Sequence, residues 1–326
     1  MATATYRRAG VNVAGADRLL RGLRGVIRST HGGGVLPDLG QFAGLFHLPR
    51  ARWRDPVLVA STDGVGTKVQ VAQAAGRHDG IGIDAVAMNV NDIVVYGAQP
   101  LFFLDYIAMG ALRPGVFRAL VRGVAEGCRQ SGCALLGGET AEMPGVYRPG
   151  DYDIAGFCVG AVERSAVIDG SQVRAGDAVV GLASTGVHAN GFSLVRHVFS
   201  RAEVKRHARE LLTPTAIYVP AALAICRAVR VHGLAHVTGG GLARRLPSLV
   251  ARRPGLQVRL TAPWPRPKIF DRIQRAGSIS GAEMHRTFNM GVGLVVACRP
   301  ADAPRVIRLA ARHGRAAWTI GTIDAR

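Results

Sequence analysis

Ser61-Thr62-Asp63-Gly64-Val65-Gly66-Thr67-Lys68 follows the apolar run Val57-Leu58-Val59-Ala60, which reads as a short buried strand. Within six residues, Asp63 to Lys68, the chain then supplies an acid, two glycines, a hydroxyl and a lysine. Glycine lets the backbone approach a ligand closely and take positive φ. Exposed N–H groups, with Thr67 and Lys68, can hold phosphate oxygens, and Asp63 can hold the metal that accompanies them. The spacing is not that of a Walker loop, and a glycine turn with a solvated lysine fits the same letters.

The pattern repeats. Cys133-Ala134-Leu135-Leu136 is another apolar strand, and Gly137-Gly138-Glu139-Thr140 follows at once. Asp63 and Glu139 are thereby expected at comparable strand ends. Between them, Gly80 to Tyr96 reads as a helix with Asp84, Met88, Asn91 and Asp92 on one face. Acids on a face flanked by Ile81, Ala85 and Val95 need a partner, and a divalent cation is a natural one; an exposed face is the alternative. Arg113 to Ser131 predicts a helix with Pro114 in its first turn, and Leu101 to Met109 and Ile154 to Val162 predict strands. His31-Gly32-Gly33-Gly34 and the Gly40 to Gly44 stretch read as mobile loop or close ligand approach.

A polar, glycine-containing stretch, Arg164 to Asp177, marks a boundary, giving domains 1–168 and 169–326. In the second half, the strand Ala178 to Ala183 leads through a polar turn holding His188 and Asn190 into a helix from Phe192. Thr238-Gly239-Gly240-Gly241 opens another helix, and both openings aim N–H groups at an anion. Thr213-Pro214 reads as a helix start. Strands Val292 to Ala297 and Ala316 to Ile320 flank a last helix.

The 326 residues carry 41 Lys and Arg against 22 Asp and Glu, a net charge of +19. Lysine occurs only at Lys68, Lys205 and Lys268, and the arginines are spread along the chain. Anionic substrates account for this more economically than specific nucleic-acid binding, with non-specific polyanion binding as a side effect. No apolar run reaches membrane-spanning length, and no signal-like segment follows Met1 to Arg8, so a cytoplasmic protein is expected. Five cysteines without a zinc-site pairing read as free thiols.

Taken in order, Ser61 to Lys68, Ile81 to Asp92, Pro100 to Tyr106, Ala125 to Pro144, Asp151 to Gly160, His188 to Arg196, Leu234 to Gly241 and Met284 to Gly293 resemble the phosphoribosylformylglycinamidine cyclo-ligase family. The resemblance implies an α+β protein of two domains. The N-terminal mixed sheet with helices pairs across a homodimer, and the C-terminal domain is an α/β sandwich of sheet and helices. It matches Asp63, Asp92 and Glu139 to metal-binding acids holding Mg2+. Gly64, Val65, Gly66, Thr67 and Lys68 match an ATP-phosphate loop, with Asn91 and Thr140 beside it. Asn190, Thr238, Gly239, Gly240, Gly241, Arg286 and Asn289 match the substrate side. Arg24 departs from the lysine of some members.

The family reaction uses ATP to close formylglycinamidine ribonucleotide to aminoimidazole ribonucleotide, with ADP and phosphate. A formamide oxygen leaves badly; phosphorylating it makes the carbon electrophilic and the oxygen a leaving group. The reaction needs a base for the amidine proton. His188 and Asp84 are the candidates, with Lys68 completing the catalytic set. No covalent nucleophile is needed. A related amidotransferase would carry the architecture twice, selenophosphate synthetase would want an early cysteine, and the first here is Cys128. A related small-molecule kinase leaves Met284 to Gly293 unexplained. A non-enzymatic polyanion binder is the reading from another class, and salt-sensitive nucleic-acid affinity without ATP turnover would mark it.

Overall fold

The computed structural model describes residues 5–36, 43–49 and 51–326. Part of the expected mobile loop, residues 40–42, lies outside the described residues.

The N-terminal half runs α1 (Val13–Arg28), β1 (Pro56–Gly64), α2 (Lys68–Ala75), α3 (Asp79–Val94), β2 (Gln99–Met109), α4 (Pro114–Ser131), β3 (Ala134–Glu142) and β4 (Tyr152–Glu163). Its sheet has the order β1-β4-β2-β3, with β2 and β3 parallel and the other neighbours antiparallel. The parallel pair is joined through α4, as a crossover requires. Pro114 opens α4 and Gly132, at φ 69°, closes it.

Helices α3 and α4 pack closely because Gly82 and Gly123 meet where they cross. A Cβ on Gly82 would collide with the Leu120 carbonyl, and one on Gly123 with the Asp79 carbonyl. Both helices lie against one face of the sheet, burying Phe103, Ile107, Phe117 and Leu120. The other face is open: Leu58 is 61% exposed, Tyr106 41% and Phe157 39%.

A short bridge holding a single 3-10 turn, Arg164–Ala166, leads to the second half. That half comprises β5 (Ala178–Ala183), α5 (Phe192–Val198), α6 (Arg201–Leu211), α7 (Val219–Ala228), β6 (Val231–His236), α8 (Gly241–Ser248), β7 (Leu256–Leu260), α9 (Ile269–Ala276), α10 (Gly281–Thr287), β8 (Val292–Cys298), α11 (Ala303–Arg312) and β9 (Ala317–Ala325). Its antiparallel sheet has the order β6-β8-β5-β9-β7. β8 is buried along its whole length, which fits a run of Val, Leu and Ala with no alternation.

Three expectations change. The strands do not stop before the glycines: β1 runs through Gly64 and β3 through Glu142, so Asp63 and Glu139 are strand residues. Thr213-Pro214 does not start a helix; α7 begins at Val219, and the residues before it lie in non-helical backbone across the other domain. α2, α6, β6, β7 and α10 are additional elements, short or polar enough to carry weak periodicity.

Candidate active site

Lys68 sits at the junction of the two domains. Its side chain is fully buried, with Nζ 2.7 Å from Asp84 Oδ2. Nζ also donates to the Thr213 carbonyl at 2.9 Å and lies over the Phe192 ring. Asp84 Oδ1 accepts from the Thr215 N–H at 2.7 Å and its hydroxyl at 2.6 Å. Burial pulls the Lys68 pKa down and pushes that of Asp84 up, and each charge opposes the other's shift. Lys68, expected from the sequence in a phosphate loop, and Asp84, expected as a candidate base, thus both contact the second domain's 213–215 segment.

Asn91 does the same two helix turns further along α3. It donates to the Ala216 carbonyl at 2.8 Å and accepts from the Tyr218 N–H at 2.9 Å, wholly buried. His188, expected as a base, is 1% exposed, at φ 65°. Its Nε2 accepts from the Thr185 and Ala216 N–H groups at 3.2 and 3.4 Å. Burial, followed by the charges of His236, Lys68 and Arg315, holds its pKa well below the usual histidine value. A neutral ring whose acceptor nitrogen faces backbone donors is a brace for the turn it sits in. Asn289 braces the same turn, donating to the Gly186 carbonyl at 2.9 Å and accepting from Ser184 Oγ at 2.9 Å.

Asp63 and Asp92 do come together. Asp92 lines an interdomain cleft of about 660 Å3 walled by Ser61, Asp92 and Tyr96 on one side and His236, Arg245 and Arg252 on the other, and Asp63 lies two residues past Ser61 on β1. Asp92 Oδ1 is 2.8 Å from His236 Nδ1 and is 40% exposed. Burial raises the Asp63 pKa; its Gly64 N–H contact lowers it, and the Asp92 charge raises it again, against His236 and Arg245. A cation between two such carboxylates would relieve that repulsion. Glu139 does not join them. It is exposed, pairs in register with Tyr106 on β2, and sits on the edge strand opposite Asp63. Among the described residues no group of three acids, histidines or cysteines is placed to hold a metal.

Val65 is buried and its N–H is taken by the Ile154 carbonyl at 3.2 Å, whereas Gly66 turns at φ 66° and Thr67 Oγ1 meets Ser193 Oγ at 3.1 Å. The starts of α2 and α5 therefore meet across the domain junction. Asn190 sits beside Gly239 and within 3.9 Å of Met88 Sδ, so its turn and the Thr238–Gly241 opening of α8 are adjacent. Gly240 and Gly241 take φ of 87° and 59°, and a Cβ at Gly241 would strike the His285 and Phe288 carbonyls. Arg286 stands exposed on α10 near Glu283, and Thr140 is half-buried on β3 beside Ile107. His236, two residues before the Thr238–Gly241 run, and Arg245, one turn into α8, are site residues that the sequence patterns above do not single out.

Residues 44–162 match the AIR synthase related protein N-terminal domain, and residues 174–326 its C-terminal domain. Phosphoribosylformylglycinamidine cyclo-ligase of Nitrosococcus oceani is 48% identical over 98% of this chain and 91% of its own length. That of Carboxydothermus hydrogenoformans is 47% identical over 98% of this chain and 96% of its own. The chain belongs to the phosphoribosylformylglycinamidine cyclo-ligase family. The fold of this cyclo-ligase family member is shared more widely. A thiamine-monophosphate kinase from Stenotrophomonas maltophilia superposes with a TM-score of 0.69 at 21% identity, over 97% of this chain and 95% of that one. The hydrogenase maturation protein HypE, solved in complex with ATP, gives 0.69 at 19% identity, over 98% and 89%. At these identities the likeness speaks for the two-domain architecture alone.

Proposed function

We infer that this chain uses ATP to close the imidazole ring of formylglycinamidine ribonucleotide, giving 5-aminoimidazole ribonucleotide, ADP and phosphate, a step of purine biosynthesis. Near-half identity along almost the whole chain to curated cyclo-ligases carries the reading. The interdomain cleft supports it, with Asp92 on one wall, Asp63 near it, and arginines on the other wall.

Asp63 and Asp92 are the residues that would hold Mg2+. Magnesium characteristically takes one or two carboxylates and completes its shell with phosphate oxygens and water, so two acids suffice. Bound there, the ion would neutralise charge on the transferring phosphoryl group. Gly66 and Thr67 present backbone at the start of α2 for ATP phosphates, with Gly64 at the end of β1 leading into that turn. Asn190, Thr238 to Gly241 and the cleft arginines face the anionic ribonucleotide. The formyl oxygen is phosphorylated, the amidine nitrogen attacks the same carbon, and phosphate leaves with the oxygen. Lys68, Asp84, Asn91 and His188 act as positioning residues that set the two domains at the spacing this transfer requires.

The open sheet face carrying Leu58, Tyr106 and Phe157 supports pairing with a second copy, which would cover these side chains and Glu139 with them. We place the protein in the cytoplasm, in keeping with its free thiols. No helix of the described residues is long and apolar enough to cross a membrane. The test is purified protein with Mg2+, ATP and formylglycinamidine ribonucleotide. Aminoimidazole ribonucleotide and ADP should appear in equal amounts; ADP without the imidazole would overturn the reading.

A further inference from the structure

Three of the five cysteines converge in the N-terminal domain, and nothing in the proposed reaction uses them. Cys128 lies in the last turn of α4, Cys133 just after its terminal glycine, and Cys158 on β4 opposite Phe103. The turn that ends α4 makes the first pairing. Gly132 is left-handed, and the Cys133 N–H bonds back to the Cys128 carbonyl at 3.0 Å. A helix terminus closed in this way brings the side chains of those two positions into contact. The closure keeps the two cysteines side by side at the end of α4, the arrangement from which a disulfide could be made.

The pair is buried, Cys128 at 0% and Cys133 at 2% exposure, but it lies beside a cavity. Cys128 and Cys133 form part of the wall of a cavity of about 520 Å3, with His31, Arg52 and Arg129 around it. Ser131 Oγ lies 3.2 Å from Cys133 Sγ. Hydrogen bonds with Cys128 and Cys158, against its own burial and helped by Ser131, hold the Cys133 thiol well below the ordinary cysteine pKa; burial raises Cys128, and the hydrogen bond with Cys133 followed by burial raises Cys158. Cys226 and Cys298, in the other domain, are both pushed up to about 12 by burial. The reactive form of a cysteine is its thiolate.

We propose that Cys133 and Cys128 form an oxidant-sensitive dithiol, in which the Cys133 sulfur attacks peroxide, breaking its O–O bond, and Cys128 resolves the product to a disulfide. The Cys133 sulfur takes one oxygen from hydrogen peroxide, giving a sulfenic acid and water. The Cys128 thiol then displaces that oxygen as a second water, forming the S–S bond. Two thiols lose two hydrogens and one peroxide becomes two waters. Cys158 is the bystander beneath the pair.

The test is the reduced, full-length protein exposed to hydrogen peroxide, alkylated, and digested with trypsin without reduction. Trypsin cuts after Arg129, so Cys128 and Cys133 fall on separate peptides. The expected first product is those two peptides joined, with fragmentation placing the bridge at Cys133, and dithiothreitol should reverse it. Cys133→Ser should lose the joined peptide, and Cys158→Ser should keep it. Three results would overturn the proposal: a first bridge between Cys133 and Cys158, unlinked sulfinic acid at Cys133, or Cys226 or Cys298 reacting before Cys133. The wild-type digest decides between them even if a variant fails to fold.

Discussion

Lys68 Nζ meets Asp84 Oδ2 at 2.7 Å with both side chains sealed from solvent, and the Asp84 carboxylate reaches across the domain boundary to Thr215. Removing one member of such a pair strands a buried charge, at a cost of about 3–5 kcal/mol. Asp84→Asn should therefore lower stability by that order in urea unfolding. Lys68→Met with Asp84→Asn together should recover part of the loss. An Asp84→Asn protein as stable as wild type would contradict the positioning role.

Asp63 and Asp92 give the opposite signature. Asp63→Asn removes a cleft carboxylate that repels its neighbour, so the fold should keep its stability. Turnover should fall by roughly 100-fold or more if the charge holds Mg2+ against the phosphoryl group, an effect of the size typical for one electrostatic stabiliser. Steady-state ADP release and thermal melting, measured side by side, check both halves. A variant with full activity would remove Asp63 from the metal site.

Asp105 supplies a pH dependence. On β2, between Gly156 and Gly138, its pKa is raised by burial from 3.8 to about 7. The folded protein thus binds the proton more tightly than the unfolded chain does. Stability from this group is full below pH 3.8 and is lost as pH rises through about 7. The shift is worth at most ~4 kcal/mol. Asp105→Asn should flatten this part of the stability profile between pH 4 and 7 (~0.1 M salt, to limit surface-charge effects). An unchanged slope in urea midpoints across that range would refute the assignment.

The open face of the first sheet predicts an assembly. Leu58→Lys with Phe157→Lys should place charges where two sheets would pack, and sedimentation should shift from dimer to monomer. A wild-type protein that sediments as a monomer while turning over substrate would dismiss the paired-sheet proposal.

Much of the architecture was legible because strong patterns are local. The helix expected over 80–96 is α3 at Asp79–Val94, and Pro114 and Gly132 bound α4 where their backbone preferences put them. The face shared by Asp84, Asn91 and Asp92 also followed from helical period. What that face meets did not. Asp84 and Asn91 take backbone groups of residues 213–218, while only Asp92 reaches the cleft. Periodicity orders residues around one helix; it carries no information about a segment more than a hundred positions later. The same segment explains the misread Thr213-Pro214: its Thr213 carbonyl and Thr215 N–H are spent on Lys68 and Asp84, so no helix starts there.

The Thr213–Tyr218 segment has a consequence for anyone who would dissect the chain. Severed near the bridge at Arg164–Ala166, the first half would present a bare ammonium, carboxylate and amide to water where it now has a fitted lid, and the second would dangle the strip that forms that lid. The halves look like separable modules on a topology diagram. Mechanically they are one object, and neither should be expected to keep its shape when made without the other.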